Sequence, residues 1–299
     1  MQMQLICIWK FLYVKEAKCM WECILEALID TVKLVPFLFV TYLAMEFLEH
    51  KAGEKTEEAV KKAGKFGPFF GGVLGILPQC GFSTAASNLY ASRVITLGTL
   101  MAIYLSTSDE MLPILISERA PLGKILGILL TKLVIGALAG FVIDAVMHLC
   151  KKEEEHTHIH DICEHEHCHC EESILKSSVV HTLQIAGFIL VISILLEVVF
   201  YFVGEEALGH FVASVPGLAP LFSALVGLIP NCAGSVVITQ LYLQNVIGLG
   251  SAIGGLLTGT GVGLLVLFRV NHHRKENFMI LGLLYGIGAV AGIVLELLL

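Results

Sequence analysis

Charge is scarce in this sequence. Asp, Glu, Lys and Arg make up 15% of its 299 residues, where soluble domains carry about a quarter. Several chemistries are missing as well. No G-x-x-x-x-G-K-[ST] segment occurs, so a P-loop ATPase is not expected. His165-Glu166-His167 is not H-E-x-x-H, which leaves a zinc protease without support. No nucleophile–base pattern appears, and the chain reads as a non-enzyme. No basic stripe with interleaved aromatics occurs, so nucleic acid is not an expected partner. No cleavable signal pattern is seen: the apolar stretch 5–14 is short and carries Lys10.

Long apolar runs take the place of charge. They lie near 34–49, 94–118, 125–147, 182–203, 246–270 and 279–299. About 20 apolar residues span a bilayer core, so each run is a candidate spanning helix. The expected fold is an all-α polytopic membrane protein in the cell (inner or plasma) membrane. The formal net charge of −7 sits largely in one segment, 151–172. The nine cysteines do not read as a disulfide framework. Cys80 and Cys232 fall in apolar runs, while Cys150, Cys163, Cys168 and Cys170 lie in a histidine-rich tract.

Shifted by 152 residues, the chain matches itself. Gly75-Ile76-Leu77-Pro78-Gln79-Cys80 falls on Gly227-Leu228-Ile229-Pro230-Asn231-Cys232. Ser83 falls on Ser235, Leu89-Tyr90 on Leu241-Tyr242, Gly136-Ala137 on Gly288-Ala289, and Asp144 on Glu296. The expected organisation is an N-terminal segment 1–29, transmembrane repeat 1 at 30–147, a hydrophilic linker 148–178 and repeat 2 at 179–299. Each repeat reads as about five helices, counting halves: a first helix, a broken stretch near 67–92 or 217–244, and two full helices. The full helices are expected at 94–118 and 122–147, then 246–270 and 276–298. The broken stretches read as re-entrant or half-helical segments interrupted at Pro78 and Pro230.

An odd number of crossings per unit makes the second copy insert upside down. Charge agrees with that topology. Loop 51–65 carries five lysines, and Arg269, Arg274 and Lys275 load the later loop of repeat 2. Both loops and the linker are expected to be cytoplasmic. Lys10, Lys15 and Lys18 weigh against the external N-terminus this implies.

The paired breaks are the first candidate site. A proline frees backbone carbonyls, and unsatisfied carbonyls at membrane depth need a cavity or a partner. Around them stand Gln79 and Asn231, Cys80 and Cys232, and the hydroxyls of Ser83 and Ser235. Sulfur and amide oxygen together suit a borderline or soft metal, or trivalent arsenic. The second candidate is Ser106-Thr107-Ser108-Asp109-Glu110, inside the run 94–118. A carboxylate in a spanning segment is costly unless paired or hydrated, and marks an ion path. Its repeat mate holds Thr258 and Thr260 but no carboxylate. Asp109 is the preferred cation ligand or proton carrier. Asp144 and Glu296 read as helix-terminal residues without a role.

The third candidate is the linker. Its possible ligands are His156, His158, His160, Asp161, Cys163, His165, His167, Cys168, His169 and Cys170. Imidazole and thiolate suit zinc, nickel, cobalt and copper. The tract reads as a metal-collecting loop too polar to fold alone.

Residues 75–114, with LPQCGFS and STSDE, and the echo GLIPNCAGSVV at 227–237 resemble the ten-transmembrane heavy-metal exporters of bacteria and archaea. Members of that family are labelled arsenic efflux proteins or manganese transporters. The resemblance implies ten helices, half-helices included, and export of a metal or metalloid. The leading expectation is a secondary-active exporter of a divalent metal such as manganese or zinc, driven by cation or proton exchange. One alternative is an efflux permease for arsenite or an organic metalloid, using Cys80 and Cys232. Another is a membrane metal sensor acting through the linker. The expected partners are a metal or metalloid ion and the bilayer, with a homodimer left open. No cofactor is expected for transport; metal enters as substrate and as a linker ligand.

Overall fold

The computed structural model describes residues 25, 27–29, 31–36, 38–43, 66–76, 80–108, 111–149, 174–203, 212 and 218–298. Among the described residues every regular element is a helix. They run α1 (Gly67–Gly75), α2 (Cys80–Ala91), α3 (Leu97–Ser106), α4 (Met111–Ser117) and α5 (Leu122–Leu149). After these come α6 (Ile174–Val203), α7 (Ala219–Gly227), α8 (Cys232–Leu243), α9 (Leu249–Thr258), α10 (Gly263–Val270) and α11 (Arg274–Leu298). Residues 31–36 and 38–43 are also helical.

Helix starts recur in the register of the sequence match. Residues 67, 80, 97, 111 and 122 open helices, and so do 219, 232, 249, 263 and 274. Local chemistry explains the pairs. Pro68 and Pro220 sit in the first turn of α1 and α7. There proline's missing N–H costs nothing and its fixed φ favours the helix. Both helices then stop near the second proline. In repeat 2 the chain unwinds through Pro230 and restarts at Cys232, after an extended Asn231.

The runs 94–118 and 246–270 are not single helices. The first divides into α3 and α4, and the second into α9 and α10. The interruption has a local cause. Thr107 leaves α3 with extended backbone at φ −53 and ψ 131. The hydroxyls of Ser106 and Thr107 turn back on carbonyls of the preceding turn, at 2.7 and 2.8 Å. In repeat 2 Gly259 is extended, and Gly261 takes a left-handed φ of 54 that favours glycine.

Among the described residues, four stretches are long and apolar enough to cross a bilayer: Leu122–Leu149, Ser178–Leu196, Leu249–Val270 and Arg274–Leu298. Helix α5 shows how such a span divides its faces. Leu122, Leu126, Leu130, Val134, Leu138 and Val142 recur every fourth residue and are all exposed. Ile125, Ile128, Lys132, Gly136 and Gly140 form the buried side. An apolar exposed ridge on a helix this long is a lipid-facing surface. The stretch from α9 through α10 is instead 83% buried. It forms the centre of the protein.

The repeats interlock. Helices α3 and α9 pack on α5 and α11 of their own units and also touch each other. Helix α2 crosses to pack on α10, and α8 crosses to α4. The first helices pack together too: Leu34, Leu38 and Tyr42 meet Ile185, Ala186 and Ile189, with Val266 and Val270 of α10.

A polar clasp ties one crossing at its rim. Arg93, just past α2, gives two hydrogen bonds of 2.9 and 3.0 Å to the Glu276 carboxylate at the start of α11. Tyr90 Oη and Asn271 Nδ2 donate to the same carboxylate. Burial works against the Arg93 charge, but its hydrogen bonds and ion pair with Glu276 outweigh that and raise its pKa. At the related crossing Tyr242, the mate of Tyr90, lies under the ammonium of Lys124, the mate of Glu276, at 6.0 Å. Glu276→Gln keeps the shape and leaves Arg93 charged without its carboxylate. Losing charge-assisted bonds at this partly buried site is expected to cost about 2 kcal/mol. Thermal unfolding in detergent, with Lys275→Gln as control, measures it. An unchanged midpoint would show that the clasp contributes nothing.

Candidate functional site

The helix breaks gather at the seam between repeats. Helix α3 ends at Ser106 and α9 at Thr258, and both ends are fully buried. The last carbonyls of a helix have no intrahelical partner and carry its negative dipole end. Here two such ends approach one side chain. Lys132, in the middle of α5, is 1% exposed. Its ammonium donates to the carbonyl oxygen of Thr107 and, at 2.7 Å, to that of Leu256. One acceptor belongs to repeat 1 and the other to repeat 2.

Hydroxyls line the same ground. Ser108 Oγ donates to the Ser106 carbonyl at 3.1 Å. Thr258 Oγ1 reaches the Ala224 carbonyl at 2.8 Å, joining α9 to α7. Thr260 is buried just beyond. The Ser108 and Thr258 hydroxyls use their hydrogens on backbone, but each oxygen keeps lone pairs that can accept or ligate. Among the described residues, the buried Ser223 hydroxyl of α7 has no hydrogen-bond partner. It lies where α7 crosses α9, since a Cβ on Gly255 would stand 2.3 Å from its oxygen.

A second node lies where α2 crosses α10. Ser83 packs directly on Gly263, whose Cβ, if present, would come within 2.7 Å of the serine Cβ. Ser87 Oγ is 2.7 Å from both Tyr104 Oη and the Gly263 carbonyl. Tyr42 Oη donates to Asn88 at 2.8 Å, and its ring stacks on His181 at 5.3 Å.

The residues expected from sequence divide as follows. Ser83, Ser106, Thr107, Ser108, Thr258 and Thr260 are buried at the seam. Asn231 and Cys232 are half-buried where α8 begins, and the Asn231 side chain does not cap the helix. Ser235 Oγ bonds the Cys232 carbonyl at 2.8 Å, one turn into α8. Cys80 opens α2. Pro78, Gln79, Asp109 and Glu110 lie outside the described residues, as does the whole linker from His156 to Cys170. Among the described residues no cluster of three His, Cys, Asp or Glu side chains forms a metal site.

Two readings change. Asp144 and Glu296 are not idle terminal residues. Asp144 accepts from the Gly98 amide at 2.8 Å and from Thr96 Oγ1 at 2.7 Å, at the N-terminus of α3. Glu296 accepts from the Ser251 amide at 2.7 Å at the N-terminus of α9. Each carboxylate fills orphan amides at the positive end of a central helix. Glu296 has the greater need, because Gly248 has no side chain with which to cap α9. Lys132 was missed altogether. The signal was present: a lysine within LLTKLVIG, deep in an apolar run.

No curated protein and no solved structure matches the chain. A family model described as "Putative, 10TM heavy-metal exporter" matches residues 19–199. The matched part covers α1 to α5 and most of α6, more than half of the 299 residues. The chain therefore belongs to this family of multi-pass membrane heavy-metal exporters.

Proposed function

We propose that the protein is a secondary-active transporter that exports a divalent or other heavy-metal ion through the seam between its two repeats. One observation carries the reading: interrupted helices from both repeats end in buried, hydroxyl-rich breaks at a shared centre. Broken helices with unwound backbone are the usual way a membrane protein offers oxygen ligands at depth. Asp109 follows Ser108 directly and would supply the negative charge that carbonyls and hydroxyls lack. Gln79 and Asn231 would add amide oxygen, and Cys80 and Cys232 sulfur. Glu110, next in the chain, would stand at the edge of the path.

The linker would collect metal on the cytoplasmic side through its six histidines and three cysteines between 156 and 170. The test is a metal panel. Cells with and without the protein are compared for tolerance to, and content of, manganese, zinc, cobalt, nickel, arsenite and antimonite. Lower content of one divalent metal supports the reading. Unchanged content of all six, with a metal-dependent response that needs only the linker, would favour a sensor.

The reading includes inverted repeats. Single cysteines placed in a cysteine-less background at 55, 160 and 273 are expected to be labelled from the cytoplasmic side only. Opposite labelling of 55 and 273 would sink the inverted topology.

A further inference from the structure

A lysine ammonium that is 1% exposed in a spanning helix is a costly group to keep. Burying a charge is tolerated when it is paired and hydrogen-bonded. The partners of Lys132 include carbonyls from the ends of two helices, one in each repeat. Thr107 caps the C-terminus of α3, and Leu256 lies in the last turn of α9. Both are electronegative ends, so the place where they meet is suited to a positive charge. The repeat does not duplicate the lysine. Its mate is Leu284, a fully buried apolar residue. The two-fold backbone therefore offers its cation-binding ends to a single ammonium.

We propose that Lys132 is a tethered cation that determines affinity: in the substrate-free protein its ammonium fills the carbonyl cage between α3 and α9, and an exported cation must displace it. This rests on the export reading above. The carbonyls that hold an ammonium are hard oxygen donors, of the kind that suits manganese(II) and other hard divalent ions. Two cations cannot share them, so lysine and substrate exclude each other. Competition of this kind lowers apparent affinity by the fraction of time the cage is free. It also helps release, because the ammonium returns as the ion leaves.

A merely structural pin would behave differently. It would join two helix ends, and any side chain able to donate hydrogen bonds would serve in part. Lys132→Gln separates the two roles, since its amide can still donate but carries no charge. Lys132→Met removes charge and donor, and Lys132→Arg keeps both.

Purified wild-type protein and the three variants are reconstituted in liposomes, and uptake of zinc(II) and of manganese(II) is followed with lumenal dyes. For the metal that wild type carries, Lys132→Met and Lys132→Gln are each expected to lower KM about tenfold or more. Both are expected to lower kcat as well, because the ion is no longer expelled, and Lys132→Arg is expected to keep KM near the wild-type value. A wild-type KM in Lys132→Gln, or a raised KM in the uncharged variants, overturns the proposal. So does insertion of Lys132→Arg alone, which would make the charge a structural pin. If neither metal moves, the assay is repeated with the rest of the six-member panel; wild-type liposomes that carry none of them would overturn the export reading itself, a result distinct from wild-type flux with unaltered variants.

Discussion

Asp109→Asn is expected to abolish export of a divalent cation while the protein still inserts and folds. The described residues on either side of 109–110 in the chain are buried. Ser108 and Met111 are each 1% exposed, at the end of α3 and the start of α4. Asp109 itself lies outside the described residues. The donors nearby are carbonyls, hydroxyls and amides, all neutral, and Lys132 adds a positive charge beside them. A divalent ion entering this ground needs a formal negative charge to offset both its lost hydration and the lysine. Removing one partner of a desolvated charge pair typically costs about 2–5 kcal/mol. At 1.4 kcal/mol per tenfold, that is a loss of about thirtyfold to several thousandfold in transport efficiency.

Asparagine keeps the size of the side chain, so abundance and thermal stability are expected to stay near wild type. Metal content in cells and uptake in liposomes give the readout. Cys80→Ser and Cys232→Ser are expected to alter selectivity among metals rather than remove flux, because serine keeps an oxygen ligand but loses the soft one. Normal transport by Asp109→Asn together with dead serine variants would defeat the carboxylate reading. A metalloid route through the two cysteines would then replace it.

The recurring helix starts have markers in the sequence, because the residues before them act on the backbone. Pro78 and Pro230, with an amide and a cysteine after each, force a similar interruption wherever they occur. The helix starts of the structure duly recur in that register. The breaks at 107–108 and 259–262 were not readable in the same way. Ser-Thr-Ser and Gly-Thr-Gly are compatible with a helix inside an apolar run, and hydropathy registers lipid compatibility rather than hydrogen-bond continuity. Whether such a segment opens depends on what takes up its freed carbonyls.

That answer lies far away in the chain. The Thr107 carbonyl is met by Lys132 and the Leu256 carbonyl by the same group. For the same reason Asp144 and Glu296 gave no sign of their task. Each caps a helix that begins some 47 residues earlier (from 144 to 97 and from 296 to 249), and only packing reveals the match. Lys132 is a different lesson. One lysine among two dozen apolar residues barely moves a window average, yet it is the most informative residue in that run.

Gly98→Ala is expected to be strongly destabilising, and Gly250→Ala its counterpart. A Cβ on Gly98 would stand 2.1 Å from the Gly140 carbonyl oxygen and 2.4 Å from the Asp144 carboxyl carbon. On Gly250 it would stand 2.3 Å from the Glu296 amide nitrogen and 2.6 Å from the Gly292 carbonyl oxygen. The obstacles are chiefly backbone, which cannot rotate aside as a side chain can. The added methyl must separate α3 from α5, or α9 from α11. Separation also pulls Asp144 or Glu296 away from the helix N-terminus it caps. Overpacking alone costs about 1–3 kcal/mol and loss of a cap about 1 kcal/mol. Together they make about 2–4 kcal/mol, a large fraction of a typical folding free energy. Gly123→Ala and Gly127→Ala are the controls, since nothing stands within 4 Å of either new methyl. In an exposed helix interior that change favours the helix by up to about 1 kcal/mol. Abundance in membranes and melting in detergent are expected to fall together for 98 and 250, and to hold or rise for 123 and 127. If Gly98→Ala melts like wild type, α3 and α5 do not meet backbone to backbone, and the capping role of Asp144 falls with that contact.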